Sequence, residues 1–299
     1  NDIQEKRLWT LKHALHRLGV TNVIVTKKVG QWFAKHMTER FDRVLCDAPC
    51  TAQGTVRKDS DALRYCSLEN IQTMQHLQES LLESAIHATK VGGRIVYSTC
   101  TLTPEENEEL VLKTLSKFST QVRVAPPRAA DANFTQAISD AEKVQSALGH
   151  DAIQPMLRLW AHTYDTEGFF CAVLEKIAPT KDPTPMERID FQESPLPEGR
   201  QRAFQKDLID DFGVPFLREG EVLYERVNEV LLTSKEVQDF ALPMQNYALG
   251  LPFGKRVEDW RIRLGNEFVT LRGGEATKNF RDLTEAELEE VLSGKDLTV

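Results

Sequence analysis

The chain has 299 residues, 41% of them hydrophobic and 27% charged, and a formal net charge of −8, which is ordinary for a globular protein long enough to hold two cores. No apolar run approaches the roughly 20 residues that cross a bilayer and no signal peptide opens the sequence, so a cytoplasmic protein with no membrane partner is expected. The acidic balance excludes a general polycation and confines any nucleic-acid contact to local basic patches, while five cysteines without a CxxC pair speak against a disulfide framework or a structural metal and for a reducing compartment.

The first residues enter helical periodicity at once. Leu8, Leu11, Leu15 and Leu18 recur at helical spacing over 3–18, and Gly19 follows as a stop. Because Asn1 lacks an initiator Met before it, the chain reads as a piece of a longer protein. Residues 22–26 and 41–47 are expected as strands, 67–90 as a long helix ended by Gly92-Gly93, and 93–99 as the next strand. Thr103-Pro104-Glu105-Glu106 then reads as a capping box opening a helix. Residues 119–155 are mixed, with Pro126-Pro127 in a loop and a helix near 136–147. Residues 157–160 and 168–176 follow as an antiparallel strand pair.

This alternation predicts an α/β sheet with helices on both faces. Five prolines among charged residues over 178–199 read as a linker. Beyond it, 221–224, 227–232 and 267–271 look like short strands and 284–292 like a helix, giving a small α+β or β-rich domain. The expected boundaries are 1–177, a linker at 178–204, and 205–299.

Two segments fifty positions apart carry the chemistry. Asp47-Ala48-Pro49-Cys50 and Ser98-Thr99-Cys100-Thr101 each place a cysteine just past an apolar strand, at the carboxyl edge where open α/β sheets bind ligands. A free thiol has a pKa of about 8.5, so its environment decides its reactivity. The start of the following helix would lower Cys100, while Glu105 and Glu106 would raise it, and the sequence leaves the sign open. Either cysteine alone reads more readily as a small buried hydrophobe; two at equivalent strand ends, one beside an aspartate, reverse that preference. A redox pair of Cys46 and Cys50 fails on spacing, since Cys46 lies inside the strand. His13 and His16 share a helix face but have no third ligand.

Together these motifs resemble the Sun/Fmu family of S-adenosylmethionine-dependent RNA cytosine-5 methyltransferases. Asp47-Ala48-Pro49-Cys50 with Gly54 and Arg57-Lys58-Asp59 is similar to the family's first cysteine motif. Tyr97 to Leu102 with Pro104-Glu105-Glu106-Asn107-Glu108 is similar to the second, and 165–170 to the strand that closes the catalytic domain. The resemblance covers residues 1 to about 177 and is greatest to the bacterial 16S rRNA branch with a C-terminal RNA-binding extension. It implies a Rossmann-like methyltransferase sheet followed by a PUA-like domain.

The resemblance also assigns roles. Cys100 would be the nucleophile that adds to cytosine C6, Cys50 would serve product release, and Asp47 would hydrogen-bond the base or the cofactor. Asp2 falls where the family keeps an acid for the cofactor's ribose hydroxyls, although a helix-cap aspartate is an equal reading. Arg57, Lys58, Lys255, Arg256, Arg261 and Arg263 would contact RNA, rRNA more than tRNA, with the protein a monomer; a solvated face is the plainer reading of the basic cluster in the C-terminal half. Tyr247-Ala248-Leu249-Gly250-Leu251-Pro252 and the 283–287 stretch are similar to pieces of the extension.

Three departures stand out: the family's glycine loop and its strand would precede Asn1, Val29 stands where an aspartate near the adenine is usual, and Thr51-Ala52 replaces Ser-Gly. Val29 and the missing loop leave a competing expectation, an RNA-binding or ribosome-assembly factor of the same fold without catalysis.

Overall fold

A computed structural model describes residues 1–126, 135–136, 156–185, 187–257 and 261–295. In chain order the elements are α1 (Glu5–Arg17), β1 (Ile24–Val25), α2 (Phe33–His36), β2 (Phe41–Asp47), α3 (Leu68–Ala88), β3 (Thr89–Thr99), α4 (Glu108–Lys117), β4 (Val122–Ala125), β5 (Thr135–Gln136), β6 (Leu157–Leu159), α5 (Ala161–Tyr164) and β7 (Phe169–Lys176). There follow β8 (Ser194–Pro195), α6 (Glu198–Phe212), β9 (Glu221–Arg226), β10 (Glu229–Ser234), α7 (Lys235–Asp239), β11 (Ala248–Leu249), β12 (Leu251–Arg256), β13 (Ile262–Leu264), α8 (Asn266–Arg272) and α9 (Glu285–Leu292). The helix expected near 136–147 lies, beyond Gln136, outside the described residues.

The chain divides into two compact units, one of residues 28–186 and one of 1–27 with 187–299. The first is a mixed, Rossmann-like α/β sheet in the order β2-β3-β7-β6-β5, with β4 also on β7. β2 and β3 are parallel, with Leu45 opposite Val96 and Asp47 opposite Ser98, so a crossover must join them; α3 is that crossover. Its start is set by Ser67, whose hydroxyl accepts from the Asn70 N–H. β7 runs antiparallel to β3, pairing Tyr97 with Ala172, and β6 pairs antiparallel with β7, the pair expected from sequence. Leu82 and Ile86 of α3, Ile95 and Tyr97 of β3, Leu110 and Val111 of α4, and Phe170 and Leu174 of β7 form the core.

Two starts differ from expectation. β3 begins at Thr89, immediately after α3, rather than at Gly93. α4 begins at Glu108 rather than at the expected capping box: residues 104–107 form a turn, and Asn107 is the N-cap without a side-chain cap bond. Thr103 and Glu106 do bond, but through their side chains alone, Thr103 Oγ1 donating to Glu106 Oε1 at 2.9 Å. The Glu106 carboxylate is drawn into a buried network instead of reaching back to the Thr103 N–H.

The second unit holds an antiparallel sheet, β13-β12-β10-β9-β8. Phe204 and Leu208 of α6 pack with Leu223, Leu232, Phe253 and Phe268 in its core. Residues 1–27, read in the sequence with the first domain, group here with this unit. The strand expected over 22–26 is two residues long and pairs Ile24 with Leu249 and Val25 with Ala248. β8 and the start of α6 fall inside the stretch read as linker; Pro195 is tolerated because β8 is the sheet edge. Residues 267–271, expected as a strand, are helical in α8, where Phe268 and Arg272 lie one turn apart on a common buried face. α9 keeps its expected start, with the Thr284–Glu287 capping box fully formed. No helix among the described residues is long and apolar enough to cross a membrane.

Candidate active site

Parallel pairing of β2 with β3 brings their carboxyl ends level, and the loops leaving them carry the two thiols. Ala48 N–H donates to the Ser98 carbonyl at 3.0 Å, which extends the ladder one residue beyond Asp47. Ser98 Oγ donates to Asp47 Oδ1 at 3.2 Å, and Asp47 remains exposed at the strand end. The chain then turns, with Ala52 in the left-handed region at φ 59°, and places Cys50 Sγ 3.3 Å from Cys100 Sγ. Both thiols are half-buried.

The pair is electrostatically unequal. The hydrogen bond from Cys50 lowers Cys100 to about 7, against the opposing pull of burial and of the Asp47 and Glu106 charges. The same bond, together with burial, pushes Cys50 up. The balance favours Cys100 over Cys50 as the thiolate of the pair. Its largest cause is the neighbouring thiol rather than the helix. Burial raises Cys46 to about 12, with Asp47 adding to it, so Cys46 stays an inert thiol.

A polar lattice holds the loops. Gly54 N–H donates to the Cys100 carbonyl at 2.9 Å, and Gly168 N–H donates to the Gly54 carbonyl at 2.8 Å. A Cβ on Gly54 would lie 2.2 Å from the Gly168 carbonyl oxygen and 2.7 Å from that of Cys100; only glycine permits this approach. Gln53 Oε1 accepts from the Thr101 hydroxyl and from Leu102 N–H, the latter at 3.2 Å. Arg158, fully buried, forms a two-pronged pair with Glu108 at 3.0 and 2.6 Å and donates through Nη1 to the Leu102 carbonyl at 2.7 Å. Sequence reading missed Gln53, Gln78 and Arg158, and gave Glu106 a helix cap, a motif position and a charge opposing the Cys100 thiolate rather than a place in this lattice. The only signals were a Glu in a supposed helix cap and an Arg inside an apolar strand.

The remaining candidate residues are dispersed. Arg57 pairs with Asp165 at 2.9 Å and donates to the Thr166 carbonyl at 3.3 Å; Lys58 is exposed. Asp2 belongs to the other unit, where it accepts from Gln4 N–H at 2.8 Å and pairs with Arg7 at 3.2 Å, the contacts of a helix-start aspartate. Val29 is 47% exposed. In the second unit Lys255 and Arg263 are cross-strand partners. Both are exposed and, with Lys12 and Tyr247, line a cavity of about 430 Å³. Arg256 on the opposite pleat is tied to Glu225 at 2.9 Å and to the Val227 carbonyl at 2.9 Å. Arg261 is exposed, its carbonyl accepting from Val257 N–H at 2.8 Å.

A mixed α/β sheet thus brings two neighbouring thiols and an aspartate together at its carboxyl edge. The chain belongs to the 16S rRNA methyltransferase RsmB/F family, whose model matches residues 1–175. It is similar to the ribosomal RNA small subunit methyltransferase F of Aeromonas salmonicida, 32% identical over 99% of this chain and 59% of that protein. The protein of the same name from Erwinia tasmaniensis is 31% identical over the same shares. The chain therefore spans about three fifths of the length of these curated relatives. Among solved structures it is similar to NSun6 from Pyrococcus horikoshii with SFG, 27% identical over 59% of this chain and 40% of that one, with a TM-score of 0.49.

Proposed function

We propose that the chain is the cytosine-binding and thiol-bearing part of an S-adenosylmethionine-dependent RNA cytosine-5 methyltransferase that acts on small-subunit rRNA. The observation that carries this reading is the thiol pair, 3.3 Å apart with Cys100 as its thiolate, beside Asp47 at the sheet edge. C5 of cytosine is a poor nucleophile. Addition of the Cys100 thiolate to C6 forms a carbon–sulfur bond and moves the ring electrons to C5. The cofactor supplies an electrophilic sulfonium methyl group. Once C5 is methylated, its proton must leave and the carbon–sulfur bond must break, returning Cys100 as a thiolate. In the adduct Cys100 is a thioether, so Cys50 loses the bond that holds its proton; after losing that proton to solvent, Cys50 would take the C5 proton as the ring electrons expel the Cys100 sulfur.

Asp47 fits the cofactor or the base as an exposed acceptor fixed by Ser98. Asp2 would serve ribose hydroxyls by exchanging its Arg7 contact for them, and Val29 offers an apolar wall rather than an acceptor to the adenine. The target base must be single-stranded or flipped out to reach a sulfur between two loops. Lys255 and Arg263 at the cavity rim, with Arg57, Lys58 and Arg261, would contact phosphates. Arg256 would first have to leave Glu225.

The test uses small-subunit rRNA containing 5-fluorocytosine, S-adenosylmethionine and the complete gene product. A covalent adduct should form, because fluorine at C5 blocks release, and it should vanish in Cys100→Ala. Cys50→Ala should accumulate an adduct on ordinary rRNA. Tight rRNA binding with neither adduct nor methyl transfer would overturn the reading in favour of a non-catalytic RNA-binding factor.

A further inference from the structure

Glu106 is fully buried, and among the described residues no cation pairs with its carboxylate. An ionised carboxylate is acceptor-only, with about four lone-pair sites, and the surroundings fill them with neutral donors from three separate places. From the Cys50 loop, Thr51 donates twice, through its N–H to Oε2 at 3.1 Å and through its hydroxyl to Oε1. From the Cys100 loop, Thr103 Oγ1 donates to Oε1 at 2.9 Å. From α3, Gln78 Nε2 donates to Oε2 at 2.7 Å and also to the carbonyl of Pro49, the residue before Cys50, at 2.8 Å. The backbone at Glu106 is itself pinned, its carbonyl accepting from the Tyr97 hydroxyl at 2.7 Å.

One carboxylate thus joins the residue that follows Cys50, a residue three places beyond Cys100, and the helix packed behind both. The two sulfurs lie on loops that leave neighbouring strands, and beyond the paired strand ends cross-loop bonds hold them at hydrogen-bonding distance. Burying an unpaired carboxylate costs several kcal/mol unless its acceptors are satisfied.

We propose that Glu106 is a positioning residue that sets the separation of the Cys50 and Cys100 sulfurs by clamping their loops to each other and to Gln78. The inference rests on the reading of those thiols as the reacting pair, but its test needs neither RNA nor cofactor, so the two can fail separately. Replacement by Met keeps a side chain of similar length but removes both acceptors, so the Thr51 N–H and Gln78 Nε2 donors go unanswered whichever way it turns. The Cys50 loop is then released, and Cys100 loses the hydrogen bond that favours its thiolate.

Iodoacetamide labelling of the intact chain across pH, read residue by residue by mass spectrometry, measures the outcome. In the native chain the midpoint for Cys100 should fall near 7. In Glu106→Met it should climb by about one pH unit or more toward the ordinary thiol value of about 8.5. Diamide gives a second readout, drawing two hydrogens from a close thiol pair to form a disulfide as it becomes the hydrazine. Cys50–Cys100 cross-linking should be fast in the native chain and at least severalfold slower in the variant. Half-buried Cys46 and Cys171, whose thiols burial pushes up, are the control for general loosening, and their labelling should not change.

A Cys100 midpoint that stays put or falls, with cross-linking as fast as in the native chain, overturns the proposal. A falling midpoint would mean that Glu106 acts only through its charge, which opposes the thiolate. Equal acceleration of Cys46 and Cys171 labelling would also overturn it, reducing Glu106 to a fold determinant. If Glu106→Met does not fold, Gln78→Met decides: it removes the α3 arm, its bonds to Glu106 and to the Pro49 carbonyl together, while both loop sequences stay native, and native values for both readouts would refute the clamp.

Discussion

Cys50 and Cys100 share one hydrogen bond, and removing the donor has a definite sign. The largest contribution to the lowered Cys100 value is the Cys50 thiol, so Cys50→Ala should return Cys100 toward about 8.5. Labelling at pH 7 should fall severalfold in that variant, while labelling at pH 9.5 should scarcely change. Native Cys100 should label well before Cys46, which burial holds near 12. Gly54 offers a second measurement. In Gly54→Ala the new methyl collides with two carbonyl oxygens that belong to the other loops. An overpacking cost of about 1–3 kcal/mol is expected, read as a lower midpoint in urea, together with slower diamide cross-linking of the thiol pair.

At the level of elements, the parts readable from sequence were those whose signal is local. The leucine periodicity of α1, the length of α3, the apolar centre of β2, the β-branched residues of β3 and the 284–292 stretch of α9 each carry their own instructions. α4 shows the limit. Thr103 to Glu106 has the spacing of a capping box, yet a buried network takes the glutamate and delays the helix to Glu108. α8 is similar: seven residues are too few for periodicity to separate helix from strand, and the packing of Phe268 on Phe253, centroids 4.4 Å apart, decides it. The thiol motifs were visible as sequence, but the lattice of Thr51, Gln53, Gln78 and Glu106 was not, because polar loop residues read as solvent-facing until tertiary contact buries them.

Two predictions belong at this level. Arg158→Met leaves Glu108 buried without its partner, and loss of one member of such a pair costs about 3–5 kcal/mol. Glu108→Gln combined with Arg158→Met should recover part of that in the same urea titration. The β9–β10 turn holds Val227 at φ 59° and 83% exposed. A β-branched residue is strained there by about 1–2 kcal/mol, and the first central position of a two-residue hairpin favours glycine. Val227→Gly should therefore raise the melting temperature, the strain relieved exceeding the glycine's added chain entropy of about 0.5–1 kcal/mol.

For the whole molecule, the sequence indicated two cores and an α/β-then-β-rich order, but not that residues 1–27 would add a strand pair to the C-terminal unit. Two-residue pairing such as that of Ile24–Val25 with Ala248–Leu249 has no local signal. Charge placement was partly legible: a cluster at 255–263 stands out in an acidic chain, but which members are tied up depends on the pleat. Lys255 and Arg263 share one face, and Arg256 is spent on Glu225. If the exposed pair binds single-stranded phosphates, Lys255→Ala with Arg263→Ala should lower the salt slope of rRNA binding by about 1.4. Arg256→Ala should change it much less. Equal slopes in all three proteins would remove that surface from the RNA path.

β2 is the outermost strand of its sheet among the described residues, and Leu45 at its middle is 70% exposed. Amide and carbonyl groups along that rim, flanked by an uncovered leucine, are what one polypeptide needs to zip onto another. Concentrated solutions of this chain should accordingly scatter more light over time, and a charged side chain there, Leu45→Lys, should keep them clear without altering how Cys100 takes up iodoacetamide. The strand that aligns the reactive sulfurs is also the chain's seam of stickiness, which sets a practical ceiling on the concentration at which its chemistry can be watched.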